Sequence, residues 1–436
     1  MYKKLLNFFD KNFVKIFVIF LVFYFSLLFN HADSPYLMIA DEASYSQSVN
    51  SLFSGEVGNN NHPLLAKTVW YFVVSFFYIL TGADHAFYWR VGTMLFSLGC
   101  LVVFYKISRI FFSRIISFVS MLLLAFDPMF FAFSRIVMLD IPALFFLLIF
   151  VYFYLKFIRD RRIKYLFISA AALGLSLATK LFALPLIIVI PALIILRYKD
   201  FFSNFKNTIN SILKFEGLLT SFYILGNFIY FFKRSSQNFL MYTYAQIATE
   251  PEFKALIKSA ADSTSPAVSW FTTPQIMIIY RNLSKNFVET VVAFQNPIFF
   301  AATLIVMVFA IYSLIFKKKG FNILHLQIIT VFFSMYLPWF LPIRPTYYYY
   351  ILPLIPLPII LVIQTISQIK DYKNKFIFAL LFLNIAIFAT YYPFLIGQSV
   401  QYNYERHAMS YSVYKFPERN SVTCQLCSPL RYPKQK

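Results

Sequence analysis

Twelve apolar stretches of 16 to 21 residues are the feature that most limits what this chain can fold into. Each is close to the ~20 residues that an α-helix needs to cross the hydrocarbon core of a bilayer. Charged residues make up only 13% of the chain, against roughly 25% in an average soluble domain. The sequence therefore predicts an all-α, polytopic membrane protein. The stretches are 13–30, 64–82, 87–105, 115–133, 138–157, 163–180, 182–197, 213–232, 297–316, 322–341, 348–368 and 375–395.

The positions of the basic residues predict how the chain crosses the membrane. The net charge is +21, and most of the excess lies in clusters between apolar stretches, which favours a cytoplasmic location for those clusters. All six clusters fall on the cytoplasmic side only if stretch 64–82, which carries Lys67 and Trp70, does not cross the membrane. It would then lie in the outer interface, or dip into the membrane and return to the same side. We therefore predict about eleven transmembrane helices, with the N-terminus in the cytoplasm and the C-terminus outside. The clusters lie at 3–15, 106–114, 156–164, 197–214, 317–319 and 370–375.

The same topology leaves three long segments on the outer face, at 31–88, 233–296 and 396–436. Most acidic residues fall in them, so we expect any chemistry to lie on that face. Membrane lipids are the partners that this charge predicts, and nucleic acid is not.

Several functional classes lack a sequence signature. The chain has no GxGxxG or GxxxxGK[ST] run, which argues against a dinucleotide fold and ATP-driven transport. Its three cysteines, Cys100, Cys424 and Cys427, cannot build a disulfide framework. We interpret Cys424 and Cys427 as an ordinary tail pair, because half of a zinc site is missing.

Candidate catalytic carboxylates lie in the first external loop. Asp41 and Glu42 are adjacent, and burial beside a like charge raises a carboxyl pKa toward working pH, as a general base requires. Taken alone, the two residues are more typical of a solvated, helix-capping acidic pair. A second acid, Asp140, follows Arg135 in a short external turn between two apolar stretches, where charged residues are expensive and tend to be paired or functional.

Four cations are predicted at membrane depth on the same face: Arg90, Arg135, Lys180 and Arg344. Any one of them is explained by a side chain that reaches for a phospholipid headgroup. Their shared face with Asp41 and Asp140 instead favours transfer from a lipid-linked phosphate, in which cations hold the leaving group and a carboxylate takes a proton.

Three other features have a structural and a functional interpretation. His62, before Pro63, is typical of a loop residue or of a phosphate contact. Asp127, before Pro128, favours a structural acid at a helix break. The run Tyr347 to Tyr350 is typical of an interfacial aromatic belt.

At these residues the sequence resembles the protein O-mannosyltransferase family of the glycosyltransferase C superfamily, whose donors are dolichyl- or polyprenyl-phosphate sugars. The order and spacing agree over about residues 31 to 360. The matching pieces are Asp41-Glu42, Asn61-His62-Pro63-Leu64-Leu65-Ala66-Lys67, Trp89-Arg90, Asp127-Pro128, Ser134-Arg135 to Asp140, Gly174 to Lys180, Ser265 to Pro274 and Arg344 to Tyr350.

The resemblance implies a fold and a mechanism. The fold would have eleven spans, with interfacial helices in the first external loop. The reaction would be an inverting single displacement with Asp41 as the base and Glu42 beside it. The resemblance places Arg90 and Arg135 on the donor phosphate, with His62, Lys67 and Arg344 as further candidates. Asp140 and Lys180 would line the cavity.

The resemblance also divides the chain into parts: 1–232, a catalytic membrane module with the external loop 31–88; 233–296, an external acceptor-side loop; 297–395, C-terminal helices; and 396–436, an external tail. Ser265, Pro266 and Trp270 would lie on the acceptor side. The related aminoarabinose transferases that modify lipid A share the architecture.

Departures from the family pattern bear on the acceptor. Leu64 replaces a proline, Ala66 a glycine, and Ser265 stands where the family usually has histidine. A hydroxyl of a protein Ser/Thr, a lipid or a glycan therefore stays open as the acceptor, and mannose is the sugar that the resemblance implies. Whether a divalent cation assists stays open: no His/Cys cluster decides it, and Asp41, Glu42 and Asp140 are oxygen ligands suited to Mg²⁺ or Mn²⁺.

Two other functions compete with a hexosyltransferase. A lipid-linked sugar transporter or flippase would have ionisable residues near mid-membrane and inverted repeats, and neither is clear in the sequence. A receptor-like scaffold fits the long tail but leaves Arg135 and Asp140 unexplained.

Overall fold

A computed structural model of the chain describes residues 2–36, 38–39, 41–55, 62–82, 85–233, 238–247, 265–273, 275–284, 286–316, 321–341, 346–369 and 372–405. The fold is mostly helical, as predicted. Sixteen α-helices are assigned within these ranges: α1 Tyr2–Phe29, α2 Glu42–Phe53, α3 Leu65–Thr81, α4 Ala86–Phe111, α5 Arg114–Ala125, α6 Pro128–Ser134, α7 Asp140–Asp160, α8 Ile163–Leu177, α9 Leu186–Leu196, α10 Tyr198–Phe201, α11 Phe205–Gly226, α12 Phe239–Ile247, α13 Pro297–Ile315, α14 Ile323–Tyr336, α15 Pro356–Ser367 and α16 Lys373–Leu395.

Short 3₁₀ helices connect several of them, at Leu181–Ala183, Phe228–Phe231, Ala267–Trp270, Leu337–Phe340 and Tyr348–Leu354.

The centre of the molecule is the row of helices α4, α7, α8 and α11, which pack against one another in that order. Helices α8 and α11 approach closely at Gly174, where an added Cβ would lie 2.3 Å from the carbonyl oxygen of Leu219. A glycine is needed there because any side chain would push the two backbones apart.

Six described helices are long and apolar enough to cross a membrane, and the number rises to eight if two bent pairs each count as one span. Three shorter apolar helices lie at Leu65–Thr81, Ile163–Leu177 and Leu181–Leu196. The chain is thus a multi-pass membrane protein, while eleven spans and a non-spanning 64–82 stay predictions.

The first bent pair joins α5 to α6 at an angle of 67°. Asp127 causes the break together with Pro128: its carboxylate caps α6 by accepting from the Phe130 amide at 3.0 Å, and it accepts from the Asn296 amide at 3.3 Å. These bonds agree with the structural interpretation of Asp127. The second bend, of 57°, joins Tyr348–Leu354 to α15.

A small three-stranded antiparallel sheet was not predicted. Strand β1 (Met277–Ser284) pairs with β2 (Phe287–Ala293), and β2 pairs with β3 (Ser399–Gln401). A buried ion pair holds the same region, since Glu405 accepts two hydrogen bonds from Arg281, at 3.1 and 2.8 Å. Strands β1 and β2 and the start of the predicted tail therefore form one unit.

The long helices separate two ends of the bundle. Asp140 begins α7 and Asp160 ends it, a rise of about 30 Å for 21 residues. We call the first end the Asp41 end, because Asp41 lies near Asp140. The basic clusters 106–114 and 156–164 lie at the opposite end.

Candidate active site

Asp41 directly precedes α2, and its carboxyl group lies among residues from three other parts of the chain. It is partly buried. Burial raises its pKa above the ordinary value; the charge of Lys180 lowers the pKa, that of Asp140 raises it, and hydrogen bonding from the Tyr349 and Tyr45 hydroxyls lowers it. The balance is a carboxyl group that takes up a proton more readily than an exposed aspartate.

Lys180 and Asp140 form a buried ion pair beside Asp41. The Lys180 ammonium donates to both carboxylate oxygens, at 2.8 and 2.9 Å. The same ammonium lies 5.1 and 5.2 Å from the ring centroids of Tyr349 and Tyr350. The structure thus brings together Asp41, Asp140 and Lys180, three residues that the sequence predicted would share one site.

Glu42 occupies the centre of a hydrogen-bonded cluster and is fully buried. Its two oxygens accept from Arg90 Nε at 3.0 Å and Nη2 at 2.9 Å. They also accept from the amides of Ile39 at 2.9 Å and Val137 at 2.8 Å. Four donors therefore hold this carboxylate, which suits a positioning role beside Asp41 better than proton transfer.

Arg90 contributes to the same cluster through its third nitrogen, because Nη1 donates to the carbonyl of Ala32 at 3.0 Å. The loop before Asp41 is thus tied to α4.

Arg135, which is 4% exposed, contacts backbone carbonyls at the ends of two helices. Its Nη2 donates to Asn30 at 2.7 Å and His31 at 2.8 Å, just after α1. Its Nη1 lies 3.5 Å from the carbonyl of Leu395, the last residue of α16. A cation is favourable there because helix C-termini carry partial negative charge.

His62 and Lys67 lie on the other side of Tyr45. The Lys67 ammonium, fully buried, donates to the His62 carbonyl at 2.7 Å and lies 5.9 Å from the Tyr45 ring. The His62 and Tyr45 rings contact each other at 6.0 Å. Through Tyr45, which bonds Asp41, the motif around His62 reaches the carboxylates.

A cavity of about 190 Å³ opens beside the Asp140–Lys180 pair. His62 lines one part of it, and aromatic and apolar side chains that include Trp339 and Tyr350 line most of the rest. A mostly apolar pocket with a few convergent charged groups is the usual form of a ligand site.

The predicted acceptor-side residues form a hydrogen-bonded turn behind this cavity. The Ser265 amide donates to the Thr346 carbonyl at 2.8 Å, and the Thr346 hydroxyl donates to the Ser265 carbonyl at 2.6 Å. Trp270 Nε1 donates to the same carbonyl at 3.1 Å. Pro266 precedes the 3₁₀ turn. Trp270 is fully buried against Trp339 and Tyr350, so it supports the cavity wall and does not line it. Arg344, Cys424 and Cys427 lie outside the described residues.

Comparisons with known proteins agree with this architecture. Residues 61–228 match the family model described as dolichyl-phosphate-mannose-protein mannosyltransferase. The chain superimposes on the Pmt1-Pmt2 protein O-mannosyltransferase complex of S. cerevisiae, bound to the sugar donor, with a TM-score of 0.64 at 13% identity, covering 94% of this chain and 93% of that one. The chain is a multi-pass membrane glycosyltransferase of the C fold.

Two further structures are similar to this glycosyltransferase. AglB, the oligosaccharyltransferase of Archaeoglobus fulgidus in complex with an inhibitory peptide and a dolichol-phosphate, gives a TM-score of 0.51 at 12% identity, over 98% of this chain and 62% of that one. ArnT of Cupriavidus metallidurans, bound to undecaprenyl phosphate, gives 0.49 at 14% identity, over 87% and 63%. The chain thus spans less than two thirds of the length of these two proteins. No curated protein sequence matches it.

Two of the three carboxylates that could bind a divalent cation have other partners. Both oxygens of Asp140 accept from Lys180, and both oxygens of Glu42 accept from Arg90 and backbone amides. Asp41 is the remaining carboxylate, and Mg²⁺ is usually bound by one or two carboxylates with substrate phosphates and waters. Within the described ranges, no group of three or more His, Cys, Asp or Glu side chains is placed to hold a metal.

Sequence reasoning missed the tyrosines of the glycosyltransferase site. Tyr349 and Tyr350 were interpreted as an interfacial belt, but they contact Lys180, and Tyr349 also bonds Asp41. Tyr45 was not singled out. Its spacing was an available signal, because a residue four positions after Asp41 lies on the same face of the helix that begins there.

Proposed function

We propose that the chain transfers a sugar from a polyprenyl-phosphate donor to a hydroxyl acceptor on the outer face of the membrane, with inversion at the anomeric carbon. One observation carries the proposal: Asp41 lies beside the Asp140–Lys180 pair, and that pair lines a cavity together with His62. That set provides a base, cations and a shaped apolar site within one end of the bundle.

In the proposed reaction, ionised Asp41 accepts the proton of the acceptor hydroxyl as its oxygen attacks the anomeric carbon. The bond between that carbon and the phosphate oxygen breaks in the same step. The lipid phosphate leaves with the bonding electron pair, and Asp41 later gives its proton to water or to the departing phosphate. General base catalysis of this kind contributes typically 10²–10⁴-fold to the rate.

Charge on the departing phosphate needs a cation that reaches the cavity. We assign that role first to Lys180, which lines the cavity while its ammonium is held by both oxygens of Asp140, with His62 as a donor at the same cavity. Lys67, which is fully buried and donates to the His62 carbonyl, is a further candidate. Arg90 and Arg135, the phosphate ligands that the resemblance implies, are assigned instead to holding the loop before Asp41.

The acceptor class follows from the comparisons only as a proposal. A protein hydroxyl and mannose are favoured because the yeast neighbour is a protein O-mannosyltransferase with a matching family model. The substitution of Ser265 for the family's histidine keeps a lipid or glycan hydroxyl as the alternative. Since the Ser265 turn supports Trp339 and Tyr350, its changes would alter the shape of the acceptor side.

The decisive experiment compares Asp41→Asn with Asp33→Asn, an exposed acid in the same loop. Purified proteins are incubated with a labelled polyprenyl-phosphate sugar and candidate acceptors, and the glycosylated product is quantified. We expect Asp41→Asn to lose at least about a hundredfold in rate and Asp33→Asn to keep wild-type activity.

Wild-type rates from a folded Asp41→Asn protein would refute the assignment of the base. A flippase would leave the glycosyl phosphate uncleaved in the wild-type protein, so the same assay separates that alternative.

A further inference from the structure

A second cavity, of about 470 Å³, lies at the end of the bundle opposite to Asp41. It is bounded by α1, by the junction of α4 with α5, by α15 and by α16. None of these elements contributes to its lining any residue assigned to the sugar-transfer site.

Two helices place this cavity one membrane thickness away from the Asp41 end. Arg90, bonded to Glu42, lies near the start of α4, and Phe111 at its end lines the cavity. Leu395, near Arg135, ends α16, and Lys373 at its start lines the cavity. Each path covers more than 20 helical residues, or about 30 Å, which matches the hydrocarbon core of a bilayer. The cavity therefore lies at the other membrane–water boundary.

The cavity also faces the bilayer sideways. Helices α1 and α16 form two of its walls, and only 11% and 22% of their apolar windows are buried inside the protein. On α16, Phe378 lines the cavity, and the next exposed ring along the helix, Phe382, is 75% exposed. An apolar track thus leads from the cavity along the outside of α16.

The polar part of the cavity carries an excess of positive charge. Arg114 and Lys373 are its cations, and Asp10 is its one acid among the residues that the structure describes. Asp10 is already paired with Arg114, at 3.2 Å from Nη1 to Oδ1. No carboxylate of the described residues pairs with Lys373. Ser113, the residue directly before α5, also lines the cavity, so a hydroxyl donor is present beside the two cations.

Four helix ends meet at this cavity, and their partial charges offset one another. Arg114 begins α5 and Lys373 begins α16, whereas Phe111 ends α4 and Ser367 ends α15. Helix N-termini are partially positive and C-termini partially negative, so the attraction for an anion comes from the two side-chain cations.

We propose that this cavity binds an anionic phospholipid of the leaflet opposite to Asp41. The phosphate would lie between Arg114 and Lys373, and an acyl chain would follow the apolar track past Phe378. A phospholipid fits better than a free anion because the cavity joins a cationic pocket at headgroup level to a lipid-facing helix surface. This site is separate from the transfer chemistry and does not depend on it.

The test measures lipid binding by the full chain in a neutral detergent. Phosphatidylglycerol or phosphatidylcholine is titrated into delipidated protein in mixed micelles, and bound lipid is counted by native mass spectrometry while thermal unfolding is followed in parallel. We expect phosphatidylglycerol to bind in preference. Lys373→Gln and Arg114→Gln should each weaken its binding about fivefold, and the double variant should weaken it further.

Lys375→Gln is the matched control, because Lys375 lies on the same helix outside the cavity, against Tyr372. It should bind lipid as the wild type does. If Arg114→Gln unfolds through loss of its Asp10 contact, Lys373→Gln alone decides the question.

Four results would overturn the proposal: unchanged affinity in a folded Lys373→Gln protein, equal binding of phosphatidylcholine, competition by glycerol phosphate at the concentration of the lipid, or binding of polyprenyl phosphate only. The third would indicate a free-anion site and the fourth a second site for the donor's lipid.

Discussion

The carboxyl group of Asp41 lies among neighbours with opposing effects on its pKa. Burial and Asp140 raise the pKa, whereas Lys180 and the hydroxyls of Tyr349 and Tyr45 lower it. Burial is the largest of these effects, so the pKa is raised. An aspartate with a raised pKa is a stronger base once ionised, but a smaller fraction of it is ionised at a given pH.

This balance predicts the pH dependence of sugar transfer. Activity requires ionised Asp41, so kcat/KM should rise with pH through a limb above the ordinary aspartate value of about 3.9. Removing the Lys180 charge withdraws an effect that lowers the pKa and frees the Asp140 charge, which raises it. Lys180→Met should therefore move the limb to higher pH, and pH–rate profiles of both proteins measure the shift.

The double variant Lys180→Met/Asp140→Leu is the control for the freed carboxylate. The rising limb of its pH–rate profile should lie between those of the wild type and Lys180→Met. A limb that moves to lower pH in Lys180→Met would contradict the electrostatic role given to this lysine.

Glu42 predicts a different kind of effect, because its partners are structural. Glu42→Gln removes the charge that compensates buried Arg90, and an uncompensated buried charge costs about 3–5 kcal/mol. We expect a large fall in the thermal unfolding midpoint. Asp10→Asn, which breaks the exposed pair with Arg114, should cost under about 1 kcal/mol. Equal thermal unfolding midpoints for the two variants would refute the structural role given to the Glu42–Arg90 pair.

From the sequence, the proximity of the site residues could be predicted better than their individual roles. Asp41, Asp140 and Lys180 were expected on one face because charges at membrane depth need partners. The pairing of Glu42 with Arg90 could not be predicted, since 48 residues separate them and a charge pattern does not specify which carboxylate an arginine selects. The phosphate role implied for Arg90 and Arg135 came from resemblance, and their contacts support a positioning role.

At the scale of the helices, the length of each apolar stretch predicted well where helices lie in the sequence, but it did not predict where they break. Each of the twelve predicted stretches contains helix, but 115–133 and 348–368 are both broken. Asp127-Pro128 signalled the first break. The second break, between Tyr348–Leu354 and α15, has prolines at its junction, Pro353 and Pro356. Because the whole stretch is apolar, hydropathy alone predicts a single helix there. The pairing of β2 with β3 could not be predicted, because it joins residues more than 100 positions apart in the sequence.

The contact between α8 and α11 gives a prediction at this scale. Gly174→Ala would place a Cβ against the Leu219 carbonyl and should destabilise the protein by about 1–3 kcal/mol. Gly217→Ala, on α11, meets no atom within 4 Å and should be neutral or stabilising by up to about 1 kcal/mol. Thermal unfolding in detergent compares them, and a Gly174→Ala midpoint at or above that of Gly217→Ala would contradict the close approach.

For the whole molecule, the separation of charge along the bundle predicts its orientation. Basic clusters lie at the end of the bundle opposite to Asp41. This basic end should face the cytoplasm, and the Asp41 end should face outward. In a background with Cys424 and Cys427 changed to serine, and with Cys100 buried, single cysteines report each side. A membrane-impermeant maleimide should label Tyr36→Cys in intact cells and label Lys164→Cys only after permeabilisation. Labelling of Lys164→Cys in intact cells would invert the topology.

The first helix shows a division of labour along its length. Most of its apolar window lies outside the protein core, with 11% buried, whereas the carbonyls just beyond its end are held by Arg135 and Arg90. One face of the helix body also packs on α4 and α5, where Phe13 stacks on Tyr105 and Phe17 contacts Phe118. The residues just after the helix are a fixed tether for Asp41, and a variant with leucine at the exposed positions Val14, Val18 and Ile19 should keep the catalytic loop in register.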